Sequence, residues 1–166
     1  DSAFFDSAGP LRGLKVSLHE GGIRVPMIAA WPGKIKPGST TDMVSGFQDV
    51  LPTLTALTGA QTPDDIDGVS LLPTLLDTGQ QQQHDYLYWE LGNQQSVRSG
   101  PWKLYRNANK KGEIKTELYH LKNDLGETKN LVNDEPEQLQ EMLGIAQAAR
   151  VPSPEFPSPF DNDRPD

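Results

Sequence analysis

Lys15 stands in Gly13-Leu14-Lys15-Val16, between glycine turns and just ahead of an apolar run. A lysine aimed by such a base suits an oxygen-rich anion, which it meets as a compact point charge. From spacing alone, a solvated loop lysine is the favoured reading. His19-Glu20 sets an imidazole beside a carboxylate, but a metal site needs three or four ligands with recognisable spacing. A structural role for Glu20 fits better: its carboxylate can tie down turn N–H groups or pair with Arg24. Asp64, Asp65 and Asp67 resemble the start of a calcium loop without its later Gly and Glu, and read as a solvated turn. Tyr86, Tyr88, Trp89 and Glu90 could line a carbohydrate or aryl pocket. Such alternation also describes a strand with one packed and one exposed face. His84 and His120 stand alone. No Gly-Lys phosphate loop, serine elbow or paired metal motif occurs, and the absence of cysteine removes disulfides and thiol chemistry. The residues alone offer one anion-friendly loop and no complete catalytic set.

Several elements must position these groups. Residues 1–22 read as loop, with turns at Gly9, Pro10, Gly13, Gly21 and Gly22. Val25 to Trp31 is continuous and apolar, as in a parallel-sheet strand covered on both faces. A helix is expected over Asp49–Thr58, with Asp49 as cap, Gly59 as stop and Val50, Leu51, Leu54 and Leu57 on one face. Ser70–Leu76 reads as a short helical turn, and Gly79–His84 as an exposed, glutamine-rich connector. The pattern then changes. Tyr86–Leu91, Ser96–Ser99, Trp102–Arg106 and Thr116–Leu121 are β-prone runs split by turn signals, the spacing of an antiparallel meander. Asp134–Arg150 is the clearest helix: D-E-P-E supplies a cap, a proline near the start and an acidic first turn, and Leu139, Met142, Leu143 and Ala146 make its apolar stripe. It should pack face to face with the meander. The proline-rich end is expected to lie as an extended tail pinned by Phe156 and Phe160.

The fold class is therefore α/β with α+β. Residues 1–78 read as the end of an α/β domain, 79–150 as a sheet-plus-helix subdomain and 151–166 as a tail. The chain carries 15 basic and 23 acidic residues, a net charge of −8. That balance, without a Lys/Arg run, argues against nucleic acid or an anionic membrane as partner. No apolar stretch reaches the ~20 residues of a membrane-spanning helix.

The opening stretch resembles the sulfatase family, especially bacterial arylsulfatase-A-like enzymes. The resemblance rests on Gly13 and Lys15, Glu20 to Pro26 (EGGIRVP) and Trp31 to Gly33. It continues through Asp49–Leu54 (DVLPTL), Asp67–Pro73 (DGVSLLP), VRSGPWKL and ELYHLKNDLGETKNL. It implies the C-terminal part of an alkaline-phosphatase-like sulfatase domain, followed by a small antiparallel sheet packed on a C-terminal helix. Lys15 is then the lysine that contacts substrate sulfate, Trp89 and Glu90 belong to the pocket wall, and Glu20 and Arg24 shape the loop. His19 takes no role from the resemblance. The family also implies a formylglycine nucleophile, made from Cys or Ser in a C/S-x-P-x-R motif, and Ca2+ held by Asp and Asn pairs. Neither set is found in this chain, so no metal ligand is assigned.

The expectation is a fragment or processed product of a sulfatase, inactive alone. Its partners would be the N-terminal catalytic portion and a sulfated small molecule or glycan, with a periplasmic or extracellular parent. An unpaired Val25–Trp31 strand would promote self-association. The alternative is a stand-alone, non-catalytic binding or scaffold module with a sulfatase-derived fold. The purely apolar Val25–Trp31 run favours the first.

Overall fold

Period-2 alternation and three short connections make the principal element. The computed structural model describes residues 4–161. Strands β1 (Leu87–Leu91), β2 (Gln94–Ser99), β3 (Trp102–Ala108) and β4 (Ile114–His120) form one antiparallel sheet in sequence order. Gly92, at φ 59°, lies in the two-residue turn between β1 and β2, where a positive φ matches the twist of the paired strands. Asn109 Oδ1 accepts the N–H groups of Lys111 and Glu113 in the β3–β4 turn.

Alternation gives the sheet two faces of different character. On one, the register-aligned Val97, Leu104 and Leu118 are fully buried. They pack against Met142 and Ala146 of the C-terminal helix Pro136–Ala149, with Leu139 and Leu143 at the margin. The expected stripe is thus the observed one. The expected side-chain cap is not: Glu135 occupies the cap position without a capping bond. Leu131 C=O instead accepts the N–H groups of Asp134 and Glu135, and Asp134 turns out to an exposed pair with Lys129. On the other face Lys103, Tyr105, Glu117 and Tyr119 are buried. The covering layer is the N-terminal segment through the short helix α1 (Glu20–Ile23).

Contacts within the chain accordingly group the segment up to Val25 with the chain from Tyr86 onward, and Pro26–Asp85 as a second compact unit. This grouping cuts across the 1–78, 79–150 and 151–166 division drawn from composition. In the tail, Phe160 is buried, with the Arg106 guanidinium 5.2 Å from its ring centroid. Phe156 is 78% exposed, so of the two expected pins only Phe160 holds.

In the second unit a 3-10 turn, Phe47–Asp49, runs into α2 (Val50–Thr58), and α3 (Leu72–Leu76) follows. Gly59 ends α2 at φ 71°, as expected. Asp49 differs from its expected role. Its carboxylate is fully buried and accepts from Gly46 N (2.8 Å), Val69 N (2.9 Å) and His84 Nε2 (2.8 Å), not from the first turn of α2. His84 is therefore partnered. Nor is the glutamine-rich connector wholly exposed: Gln81 bonds Thr74 and the Ser70 carbonyl.

Two apolar expectations are corrected. Val25–Trp31 forms no strand, and Met27 and Ile28 are 59% and 94% exposed. A β-strand exists only through a neighbour's backbone hydrogen bonds, and among the described residues none runs beside this segment. The stripe on α2 also faces out: Val50, Leu51, Leu54 and Leu57 are 42–52% exposed, while Pro52 and Thr55 are buried.

Candidate functional site

The loop that carries Lys15 is folded by close backbone approach. Ser17 N donates to the Leu14 carbonyl (2.9 Å), closing a turn with Lys15 and Val16 at its centre. Val16 sits at φ 76°, a conformation a β-branched residue rarely adopts. Such strain stands at about 1–3 kcal/mol and persists only where the surroundings impose it. Those surroundings begin with the glycine pair. A Cβ on Gly21 would lie 2.2 Å from the Gly13 carbonyl oxygen, and one on Gly22 2.0 Å from that of Ser17. Only glycines let α1 close on the turn.

Beneath the loop lies a buried charge network anchored in the sheet. Lys103 Nζ, with no exposed surface, stands 2.9 Å from Glu20 Oε1 and 2.9 Å from Glu127 Oε1. Glu127 Oε2 also accepts the Glu20 N–H at 2.7 Å. The N-D-L-G-E-T segment makes this possible. Asp124 accepts the N–H groups of Thr128 and Lys129, shaping a turn that presents Glu127 at φ 53°. Burial raises the Glu127 carboxyl above its ordinary range, against the pull of Lys103. Breaking one partner of such a set strands an uncompensated buried charge.

The remaining loop charges are also engaged. Arg12 donates to Glu117 Oε2 at 3.0 Å, and Arg24 lies 3.6 Å from Glu20 Oε2. Burial pushes the Glu117 carboxyl upward, but hydrogen bonds from Lys115, Tyr119 and Arg12 outweigh it and hold it at about 2. His19 stacks on Tyr105 with ring centroids 3.9 Å apart, its Nδ1 2.9 Å from Ser17 Oγ and its Nε2 3.5 Å from Glu117. Burial, reinforced by Arg12, lowers its pKa to about 4, so it is neutral at pH 7. His19 and Glu20 do not act as a pair, since each faces a different partner. Among the described residues, the Lys15 ammonium alone in this loop's set of cations has no carboxylate partner, and Lys15 is exposed.

The other expected site residues separate by strand alternation. Trp89 lies in the register row of Ser96, Tyr105 and Glu117, on the sheet face that carries the loop. Glu90 lies on the helix side, where Oε2 accepts from Tyr88 OH (2.6 Å) and Arg150 Nε (3.0 Å). An open cleft of about 530 Å3 beside Arg12, His19, Tyr105 and Glu117 is lined by none of Lys15, Trp89 or Glu90. Sequence reasoning missed Lys103, Glu117 and Glu127. The available signal was a lysine inside an apolar strand (W-K-L), which demands a buried counter-charge.

Among the described residues no group of three or more His, Asp or Glu side chains is placed to hold a metal ion. The chain also lacks cysteine and the C/S-x-P-x-R motif. These residues do not fit the Ca2+ and formylglycine that the resemblance implies.

Residues 14–147 match the family model for the C-terminal region of N-sulphoglucosamine sulphohydrolase. Arylsulfatase A of Bos taurus is 43% identical over 104 residues, covering 59% of this chain and 20% of that protein. A sulfatase of Formosa agariphila is 36% identical over 146 residues, covering 78% of this chain and 26% of its own length. A solved Bacteroides thetaiotaomicron sulfatase, from work on the metabolism of multiple glycosaminoglycans, superposes with a TM-score of 0.69 at 26% identity. That likeness covers 90% of this chain and 35% of the other. The chain thus spans about a fifth to a quarter of the length of these two curated relatives. With the family model matched over most of its length and its sheet, helix and loop arranged as in a solved sulfatase, the chain belongs to the sulfatase family, in the family's C-terminal region.

Proposed function

We propose that this chain is the C-terminal part of an enzyme that hydrolyses sulfate esters, and that Lys15 is its contact to the substrate sulfate. The observation that carries the reading is the contrast in the loop: Arg12 and Arg24 are committed to carboxylates, whereas Lys15 is exposed, has no carboxylate partner among the described residues and is borne on a strained, glycine-packed turn. A lysine remains cationic near neutral pH unless strongly desolvated. During sulfuryl transfer, charge builds on the sulfate and leaving-group oxygens, so a fixed cation favours the transition state over the ground state. The substrate class is a sulfated glycan or small molecule, with Trp89 offered as a wall on the loop's face. Residues 1–78 contribute to the α/β catalytic domain. The nucleophile and Ca2+ site come from the rest of the enzyme, so the isolated chain is inactive.

The test is sulfate release from p-nitrophenyl sulfate and from sulfated glycosaminoglycan oligosaccharides by the full-length protein. Lys15→Ala should lower kcat/KM by about 10²-fold or more, the scale of one lost electrostatic stabiliser. Lys34→Ala should change it less than about threefold, as befits an exposed surface charge. Equal effects from the two substitutions would return Lys15 to the status of a solvated loop residue.

A further inference from the structure

Resting on the reading of Lys15 above, we infer that Gln94 is a positioning residue for that lysine. The Gln94 side chain grips the strained turn on both sides of Ser17. Its Nε2 donates to the Val16 carbonyl at 3.0 Å, and its Oε1 accepts the Leu18 N–H at 3.2 Å. Oε1 also accepts from Tyr105 OH at 3.1 Å. The Val16 carbonyl, which can only accept, and the Leu18 N–H, which can only donate, fix the orientation of the amide, and the Tyr105 hydroxyl then donates to Oε1. The peptide groups held are Val16–Ser17 and Ser17–Leu18, the two that follow Val16, so the clamp opposes relaxation of Val16 from φ 76° and with it the turn that carries Lys15.

The clamp is rigid because of where the chain places it. Gln94 is the first residue of β2, directly after the Gly92-Asn93 turn, and pairs with Leu91 and Asn107. Asn93 Nδ2 in turn donates to Asn107 Oδ1 at 2.7 Å. The backbone under Gln94 is thus fixed from both neighbouring strands. The Glu20–Lys103–Glu127 network fixes the far end of the loop at α1, but Gln94 touches the turn itself. Gln94 therefore sets the aim of the sulfate-contacting cation without itself touching the substrate. A displacement of 1 Å in such a group can cost about 10²-fold in rate.

The experiment compares Gln94→Ala and Gln94→Glu in the full-length protein, each with Lys15 intact and in a Lys15→Ala background, by kcat/KM on p-nitrophenyl sulfate. Gln94→Glu keeps size and acceptor but loses the donor to Val16. Tyr105→Phe is a gentler variant that removes one bond to Oε1 and serves if the Gln94 variants fail to fold. With Lys15 present, either Gln94 substitution should lower kcat/KM about tenfold, and Tyr105→Phe less. In the Lys15→Ala background each should change it less than about twofold, because a residue acting through Lys15 has nothing left to position. Equal losses in both backgrounds, or none in either, would overturn the inference while leaving a damaging Lys15→Ala to support the sulfate contact. A silent Lys15→Ala would remove that contact and the Gln94 role with it.

Discussion

In the unit built on the meander, Val97, Leu104 and Leu118 are completely buried beneath Met142 and Ala146. In Pro26–Asp85, Leu51 and Leu54 of α2 are 48% and 52% exposed, and the order comes from polar contacts such as Asp49 with Gly46, Val69 and His84. The two regions have similar apolar patterning in sequence, yet one closes a core and the other presents its stripe outward. Patterning identifies which face of an element wants cover. It does not say whether the cover lies in the same stretch of chain. Under the proposed function, the rest of the α/β domain supplies it to α2 and to Val25–Trp31.

The sharpest way to break this contrast is at the buried charges of the self-contained unit. Lys103→Met leaves Glu20 and Glu127 facing each other without their cation. It should destabilise by about 3–5 kcal/mol, the range for removing one partner of a buried set. Adding Glu20→Gln and Glu127→Gln should recover part of the loss. Chemical denaturation of the single and the triple variant measures it, and a Lys103→Met protein as stable as the parent would show that the network is open to water.

Next in size is a matched pair of truncations. Leu104→Ala, under the helix, should cost about 2–5 kcal/mol through lost transfer and a residual cavity. Leu54→Ala, on the exposed stripe of α2, should stay within about 0.5 kcal/mol in this chain. The comparison sharpens if Leu54→Ala becomes costly in the full-length protein, and fails if the two truncations are alike in the chain alone.

The parts legible in sequence were those whose partners are near in sequence or repeat a period. The meander, the Leu139–Ala146 stripe and the Gly59 stop follow from period 2, period 3.6 and an αL requirement. Lys15 was legible through resemblance, and the glycines around it through turn chemistry. Lys103, Glu127 and Gln94 were not, because their partners lie up to 107 residues away along the chain. A buried lysine shows in sequence only as a charge in an apolar strand, without naming its carboxylates. Val25–Trp31 misled for the converse reason: its composition is that of a sheet interior, but a strand needs a neighbour that composition cannot supply.

The smallest expected effect is a pH dependence confined to the meander unit. His19 is held at about 4, below its ordinary 6.5. Its folded pKa is depressed, so in that window the unfolded chain binds the proton and the folded chain does not. Stability from this group is therefore complete above pH 6.5 and falls as pH drops toward 4. Glu117, held at about 2 against an ordinary 4.5, acts in the same sense but lower, losing its contribution between pH 4.5 and 2. The groups facing His19 are Glu117 and the cations of Arg12 and Lys103, so protonation adds a third positive charge beside a single nearby carboxylate. His19→Gln should flatten the urea midpoint between pH 6.5 and 4.5 while leaving the steeper loss below 4.5, which Glu117→Gln should remove. Because neither group belongs to Pro26–Asp85, hydrogen exchange in α2 should not follow the change at His19. A parallel loss of protection there would mean that the two units respond to acid as one.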